Sequence, residues 1–268
     1  ITCPGPDTVL NNFGSCGVNY FAPTIPAADN CPGVNVVQTG GINSGSIFPV
    51  GTSTLTFQAL DNAGNSASCS YTVTVLDSSS PSISCPLNIT VNNDLNACAA
   101  VVTYSQPTGA DNCSSVAVSQ TGGLVSGSAF PVGTTTNTFV AADTSGNTAT
   151  CSFTVTVNDN QKPQIICPSD LFVSADLTLC GAIVSYVAPV GTDNCPNPVT
   201  TLSTFSLGSG GSFPLGTSQE TYVVTDASGN SDSCTFEVTV IDSVLPEITC
   251  PPNVVLSNDP GICGATYT

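Results

Sequence analysis

The sequence has 268 residues, a mass of 26.9 kDa and a formal net charge of −17, with 18 acidic residues against a single basic one, Lys162. Because histidine and arginine are absent, the chain cannot build a Ser-His-Asp or Cys-His centre, and we expect no enzyme. One lysine cannot neutralise a run of phosphates, and no apolar run approaches about 18 residues, so we expect neither nucleic-acid binding nor membrane insertion of this segment.

The fourteen cysteines recur with a fixed period. Sets of four cysteines follow one another at an offset of 82 or 83 residues. This period is longer than the 20–50 residues typical of solenoid repeats and suits a small independent domain. The sequence therefore predicts a tandem array, which we interpret as a segment of a longer one: 1–77 (start truncated), 78–159, 160–242, and the start of a fourth module at 243–268.

Each module is predicted to consist of β-strands joined by turns. The alternating run Cys98–Tyr104 comes first, followed by a turn at Phe130-Pro-Val-Gly-Thr134. A hairpin turn follows at Asp143-Thr-Ser-Gly-Asn147, where glycine supplies a positive φ. The β-branched run Phe153–Val157 then closes the module. About seven short strands per module are typical of an immunoglobulin-like β-sandwich, so the expected fold class is all-β, a rod-like array of such sandwiches.

The cysteines predict two disulfides per module and an oxidising, extracellular location. A zinc site is disfavoured, because no spacing resembles CxxC and there is no histidine. Four cysteines can pair in three ways. The alternation of side chains along a strand favours first–third and second–fourth, because the second and fourth cysteines share strand faces with apolar residues. The expected bridges are Cys3–Cys31, Cys16–Cys69, Cys85–Cys113, Cys98–Cys151, Cys167–Cys195 and Cys180–Cys234.

The motifs together resemble those of the hyalin repeat (HYR) family. The resemblance rests on Pro163-Gln-Ile-Ile-Cys167-Pro168, on Asp193-Asn194-Cys195 and on the block from Asp143 to Asp159, and it covers essentially the whole chain. It implies an immunoglobulin-like fold and an extracellular, adhesive or structural role in tandem arrays, with no catalytic residues to carry over. The third module departs from the pattern at Gly208 to Ser212, which puts its central strands in doubt.

Aspartates recur in columns that a sandwich would bring to one pole at each module junction. One set is Asp77, Asp111 and Asp143 with Asn112, and the next is Asp159, Asp193 and Asp226 with Asn194. Carboxylate and amide oxygens are suitable ligands for Ca²⁺. The junction Val157–Pro163 also resembles the calcium-binding linker of cadherins. The competing interpretation is that these residues form turns by accepting hydrogen bonds from backbone amides.

The sequence thus predicts a structural, extracellular array, a stiff stalk or filament whose joints bind calcium. The alternatives are an adhesin module that binds a cell-surface glycan or protein, and a subunit of a self-assembling filament. Expected partners are neighbouring modules of the same polymer or other copies of the chain. Asn88-Ile-Thr90 and Asn112-Cys-Ser114 fit N-glycosylation sequons.

Overall fold

The computed structural model describes residues 1–267 and is all-β, as predicted. It divides into two compact units, Ile1–Gln161, which holds the first two modules, and a second unit that begins at Lys162. Among the described residues, none forms a helix that is long and apolar enough to cross a membrane. The predicted fourth module reaches Thr268, which lies outside the described residues, and no strand is assigned between residues 242 and 267.

The first module contains six strands. They are β1 (Asp7–Leu10), β2 (Gly17–Asn19), β3 (Asn35–Gly40), β4 (Ile47–Pro49), β5 (Gly51–Leu60) and β6 (Ser66–Leu76). A four-stranded sheet has the order β1-β6-β5-β3, and β2 pairs with β4 in a second, smaller sheet. The first strand runs parallel to the last, β1 to β6, while the other pairs are antiparallel.

The second module repeats this plan with one additional pair of short strands. Its strands are β7 (Ser82–Ser84), β8 (Ile89–Asn92), β9 (Ala99–Val102), β10 (Thr108–Ala110), β11 (Val116–Gly122), β12 (Ser128–Pro131), β13 (Gly133–Asp143) and β14 (Thr148–Asn158). The large sheet has the order β11-β13-β14-β8, and the small sheets pair β12 with β9 and β10 with β7.

The third module again has six strands. They are β15 (Leu171–Ser174), β16 (Gly181–Val184), β17 (Val199–Leu202), β18 (Gly211–Pro214), β19 (Gly216–Thr225) and β20 (Ser231–Ile241). The sheet order is β15-β20-β19-β17, and β16 pairs with β18. The central strands, which the altered Gly208–Ser212 segment had put in doubt, therefore form as they do in the other modules.

The core of each module lies between its sheets and follows from the alternation of the long strands. On β14, Phe153, Val155 and Val157 are buried, whereas the threonines between them are half-buried. The phenylalanine of the repeated Phe-Pro turn is fully buried in all three modules, at Phe48, Phe130 and Phe213. Burying an aromatic ring of this size contributes roughly 2–3 kcal/mol, so this turn fixes the small sheet onto the core.

One inward-facing position differs between the modules. Leu55, Asn137 and Glu220 are each fully buried and lie opposite equivalent residues of the neighbouring strand. Glu220 accepts hydrogen bonds from the backbone amides of Leu207 (2.7 Å) and Gly208 (2.8 Å) and from the Tyr186 hydroxyl (2.6 Å). The carboxylate therefore satisfies the amides of the altered segment that leads into β18.

The predicted disulfide pairing is wrong. The bonds are Cys3–Cys69, Cys85–Cys151 and Cys167–Cys234, which join the first cysteine of each module to the fourth. The reason is the parallel pairing of the first and last long strands, Ile89 opposite Val155 for example, which brings the segment before β8 beside β14. The expected bridges Cys3–Cys31, Cys16–Cys69, Cys85–Cys113, Cys98–Cys151, Cys167–Cys195 and Cys180–Cys234 are therefore excluded, since each would need a cysteine already bonded elsewhere.

Cysteines outside these three bonds differ in state. Cys98 and Cys195 are each disulfide-bonded. The thiols of Cys16 and Cys113 are half-buried, and those of Cys31 and Cys180 are exposed.

Candidate functional site: the joint between the first two modules

The first two modules meet within one compact unit, and several predicted site residues lie at their contact. We call this region the joint. It comprises the turn after β1, the linker after β6 and the loop before β11, with the residues Asn11, Ser15, Cys16, Asp77, Ser78, Ser79, Asp111 and Cys113.

Asn11 organises the joint from the first module. It is buried, and its side-chain amide donates to the Asp77 carboxylate, the Ser79 hydroxyl and the Ser15 carbonyl, each at 3.0 Å. Its carbonyl oxygen accepts from the backbone N–H and the hydroxyl of Ser78, both at 3.0 Å. A single side chain thus fixes the path of the linker, because a buried amide left without these partners would cost about 1–3 kcal/mol.

The same device recurs at the end of the second module. Asn93, one period after Asn11, is buried and accepts a hydrogen bond from the Asn160 backbone N–H (3.1 Å). It donates to the Gln161 side chain (3.1 Å) and to the Ala97 carbonyl (2.9 Å). Sequence reasoning missed Asn11 and Asn93, although their recurrence one residue before Asn12 and Asp94 was a usable signal.

Two of the predicted calcium ligands come together at the joint. Ligand atoms of Asp77, Asp111 and Cys113 lie within 4.8 Å of one another. One oxygen of each carboxylate is engaged: Asp77 Oδ1 accepts from the Ser79 N–H (3.0 Å), and Asp111 Oδ2 accepts from the Cys113 N–H (2.7 Å). The other two oxygens, Asp77 Oδ2 and Asp111 Oδ1, are buried and accept no hydrogen bond.

Asp143 lies near the joint but is engaged by its own turn. Its Oδ1 accepts from the backbone N–H groups of Ser145 (2.9 Å) and Asn147 (2.8 Å), and its Oδ2 accepts from the Asn147 side chain (2.8 Å). Burial raises the pKa of the Asp143 carboxyl, but these hydrogen bonds outweigh burial and the pKa is lowered below 3.8. Gly146, with φ of 92°, closes the turn as the sequence predicted. Asn147 also donates to the Asp77 carbonyl (3.1 Å), which links this turn to the linker.

The remaining predicted ligands lie in both compact units. Asp159, in the first unit, accepts from the Gln161 N–H (3.1 Å). In the second unit, Asp193 accepts from the Cys195 N–H (2.9 Å), and Asp226 accepts from the Ser228 N–H (2.9 Å) and from Asn230. Asn194 donates to the Cys195 sulfur (3.6 Å), as Asn112 does to the Cys113 sulfur (3.0 Å).

Cys113 is the unexpected member of the joint. Its sulfur accepts a hydrogen bond from Asn11 (3.6 Å) and faces the Ser15 carbonyl (3.9 Å) and the Cys16 thiol of the first module. Burial, followed by the Cys16 thiol and the Asp77 carboxylate, raises the pKa of the Cys113 thiol to about 12. The thiol therefore stays neutral at physiological pH and adds no charge to the two carboxylates.

The two sequons differ in their surroundings. Asn88 is exposed and its side-chain carbonyl accepts from the Thr154 N–H (2.9 Å). Asn112 is exposed beside the joint. Glycosylation at both residues stays a prediction.

The chain matches the family model described as "HYR domain" three times, at residues 1–75, 76–157 and 158–240. It is 35% identical over 252 residues to a protein named Hyalin from Strongylocentrotus purpuratus and 32% identical over 265 residues to a Hyalin from Lytechinus variegatus. These matches cover 90% and 95% of this chain but only 21% and 49% of the two relatives. The chain thus spans half or less of the length of these proteins.

Among solved structures, similar chains include a protocadherin gammaB7 EC3-6 cis-dimer and mouse cadherin-23 EC22-24, each at 16% identity. The TM-scores are 0.39 and 0.36. The matches cover 89% and 90% of this chain and 72% and 96% of those chains.

Proposed function

Because the chain belongs to the HYR domain family, we propose that it is a structural segment of an extracellular array, in which calcium stiffens the joints between successive modules. Modules of this family are not known as enzymes, and the proposal includes no catalytic step. The relatives and the disulfides support an extracellular location. The partners in this proposal are neighbouring modules of the same polymer or further copies of the chain.

The observation that carries the proposal is a pair of neighbouring carboxylates. Asp77 Oδ2 and Asp111 Oδ1 are buried and accept no hydrogen bond, and an oxygen of the Asp77 carboxylate lies within 4.8 Å of an oxygen of the Asp111 carboxylate. Two negative charges at this distance repel by at least about 3 kcal/mol at an effective dielectric constant near 20. A divalent cation between them removes this repulsion. The joint otherwise offers no basic residue for the purpose, since Lys162 is the only one in the chain.

The donor set fits calcium better than a softer metal. The available ligands are carboxylate oxygens, which Ca²⁺ prefers, and the neutral Cys113 thiol is a poor ligand for it. Two protein oxygens leave several of the six to eight coordination positions to water, so we expect a weak site with a Kd of about 10⁻⁴–10⁻³ M, as in other extracellular modules. Asp143, whose oxygens are held by its own turn, is not needed as a direct ligand.

Calcium titration calorimetry of the whole chain tests this function. Wild-type protein is expected to bind calcium in the millimolar range and to unfold at a higher temperature in calcium than in EGTA. Asp77→Asn and Asp111→Asn are each expected to weaken the response strongly, because each removes one of the two charges.

The matched control is Asp29→Asn. Asp29 occupies the place of Asp111 in the first module and accepts from the Cys31 N–H (3.1 Å), and it lies outside the joint. Its substitution is expected to leave binding at the joint unchanged. Wild-type protein that neither binds calcium nor differs in stability between calcium and EGTA would rule out the calcium-stiffened joint.

The alternative of an adhesin receives less support. It requires exposed aromatic residues grouped in one module, and the third module does expose Phe172 and Phe205. However, Phe172 lies on β15 and Phe205 follows β17, which are the opposite edges of the sheet β15-β20-β19-β17. Three strand spacings, about 14 Å, separate these edges, so the two rings form no common binding platform.

A further inference from the structure

Two cysteines face each other across the joint although they belong to different modules. Cys16 precedes β2 of the first module, and Cys113 precedes β11 of the second. The Cys113 sulfur lies 3.9 Å from the carbonyl oxygen of Ser15, the residue that precedes Cys16, and the backbone on both sides is held in place. Cys113 is fixed by its N–H bond to Asp111 (2.7 Å) and by Asn11, and the Ser15 carbonyl next to Cys16 is fixed by the same Asn11.

The bonding of the other cysteines leaves this pair available to each other. Cys69 and Cys85, which the sequence predicted as the partners of Cys16 and Cys113, are bonded instead to Cys3 and Cys151. Cys16 and Cys113 therefore cannot form the bonds that the sequence predicted for them. One period further along the chain, Cys98 and Cys195 occupy the same two positions in the repeat, and each is disulfide-bonded. Cysteines at both positions therefore do form disulfides in this chain.

We propose that Cys16 and Cys113 form a disulfide that joins consecutive modules covalently, the second cysteine of one module to the third cysteine of the next. The inference does not depend on calcium. Within residues 1–267, the same register pairs neither Cys31 nor Cys180, and both thiols are exposed. In an array of such modules, the chain would be cross-linked across each joint as well as within each module.

The oxidation is an exchange with a disulfide donor of the glutathione or dithiol-oxidoreductase class. One cysteine thiolate attacks the donor and forms a mixed disulfide, and the second cysteine then displaces the remaining donor thiol. The two cysteines lose two protons and two electrons, and the donor disulfide is reduced to two thiols.

Disulfide mapping of the intact chain, secreted by a cell with an oxidising export pathway, tests the proposal. Free thiols are alkylated with iodoacetamide in denaturant without reductant, and the protein is digested with pepsin in acid, which suppresses disulfide exchange. Trypsin is unsuitable because Lys162 is followed by Pro163. Mass spectrometry is expected to find peptides linked through Cys16 and Cys113 that separate on reduction, together with alkylated Cys31.

Three variants test whether the linked peptides come from a bond between Cys16 and Cys113. Cys16→Ser is expected to make Cys113 available to alkylation, whereas the matched control Cys31→Ser leaves the linked pair intact. Asp77→Asn is expected to keep the linked pair, so that failure of calcium binding and failure of the disulfide are read separately. The proposal is overturned if Cys16 and Cys113 are both alkylated in wild-type protein whose Cys85–Cys151 bond is intact, or if either is linked to a different cysteine.

Discussion

Replacing Glu220 with glutamine tests whether a buried carboxylate holds the altered segment of the third module. The wild-type carboxylate accepts three hydrogen bonds, from the N–H groups of Leu207 and Gly208 and from the Tyr186 hydroxyl, and has no exposed surface. Glutamine has one acceptor oxygen. If that oxygen keeps Gly208 and Tyr186, the new NH₂ group points at the Leu207 N–H, so that two donors oppose each other.

The expected cost follows from these contacts. A buried donor without an acceptor costs about 1–3 kcal/mol, and the donor–donor contact adds to it, so Glu220→Gln is expected to destabilise the third module by about 2–4 kcal/mol. Because 1.4 kcal/mol corresponds to a factor of ten, the amides of Leu207 and Gly208 are expected to exchange with solvent at least about 30 times faster.

Amide hydrogen exchange, measured residue by residue in the whole chain, provides the assay. The matched control is Glu237→Gln on the adjacent strand, where the glutamate is exposed and lies opposite Gln219. That change is expected to stay within about 0.5 kcal/mol. If Glu220→Gln leaves both amides as protected as Glu237→Gln does, the carboxylate does not hold the segment and the reasoning is refuted.

Three further predictions concern the other modules and the pH dependence. Replacing both Cys85 and Cys151 with alanine opens a loop of 66 residues and is expected to lower the free energy of unfolding by about 4 kcal/mol in urea denaturation; a loss below about 1 kcal/mol would contradict the chain-entropy argument. Burial, followed by its hydrogen bonds, raises the pKa of Tyr186 above 10.0. The stability that the Tyr186 hydroxyl provides is complete below pH 10.0 and declines above it, because there the tyrosine ionises in the unfolded state but not in the folded state. The thermal midpoint of unfolding should therefore fall in alkali, and it should fall by less in Tyr186→Phe. Despite the opposing effect of burial, hydrogen bonds from Asn147 and the turn amides place the pKa of Asp143 below 3.8. The stability that Asp143 contributes is therefore present above the pKa of the unfolded state and is lost as the pH falls through the pKa of the folded state. NMR titration of the carboxyl should give a midpoint that rises in Asn147→Ala, and an unchanged midpoint would contradict this cause.

The fold could be predicted because its signals are local and repeated. The alternation of Phe153–Val157 specifies an inward face, and the Asp143–Asn147 turn has the residues its backbone requires, including a glycine at positive φ. At the same turn, both carboxylate oxygens of Asp143 accept hydrogen bonds from turn residues, as the competing interpretation of this residue as a turn former predicts.

The disulfide pairing could not be predicted, because parity along one strand does not reveal which strand lies beside it. Cys151 does face inward, but the chain segment next to it is the one that carries Cys85, and this depends on the parallel pairing of β8 with β14. The contact of Cys113 with Cys16 depends in addition on how two modules meet, which no pattern within one module specifies.

The bond between the first and fourth cysteines also determines how a module responds to tension. Cys85 precedes β8 and Cys151 lies within β14, so β8 is part of the loop that the disulfide closes. A force applied through the chain passes from Cys85 through the disulfide to Cys151, and the chain segment between them does not carry it. The bond spans a sequence separation of 66 residues, which withholds about 230 Å of contour length. Each module would therefore lengthen only slightly, because its covalent bonds bear the force.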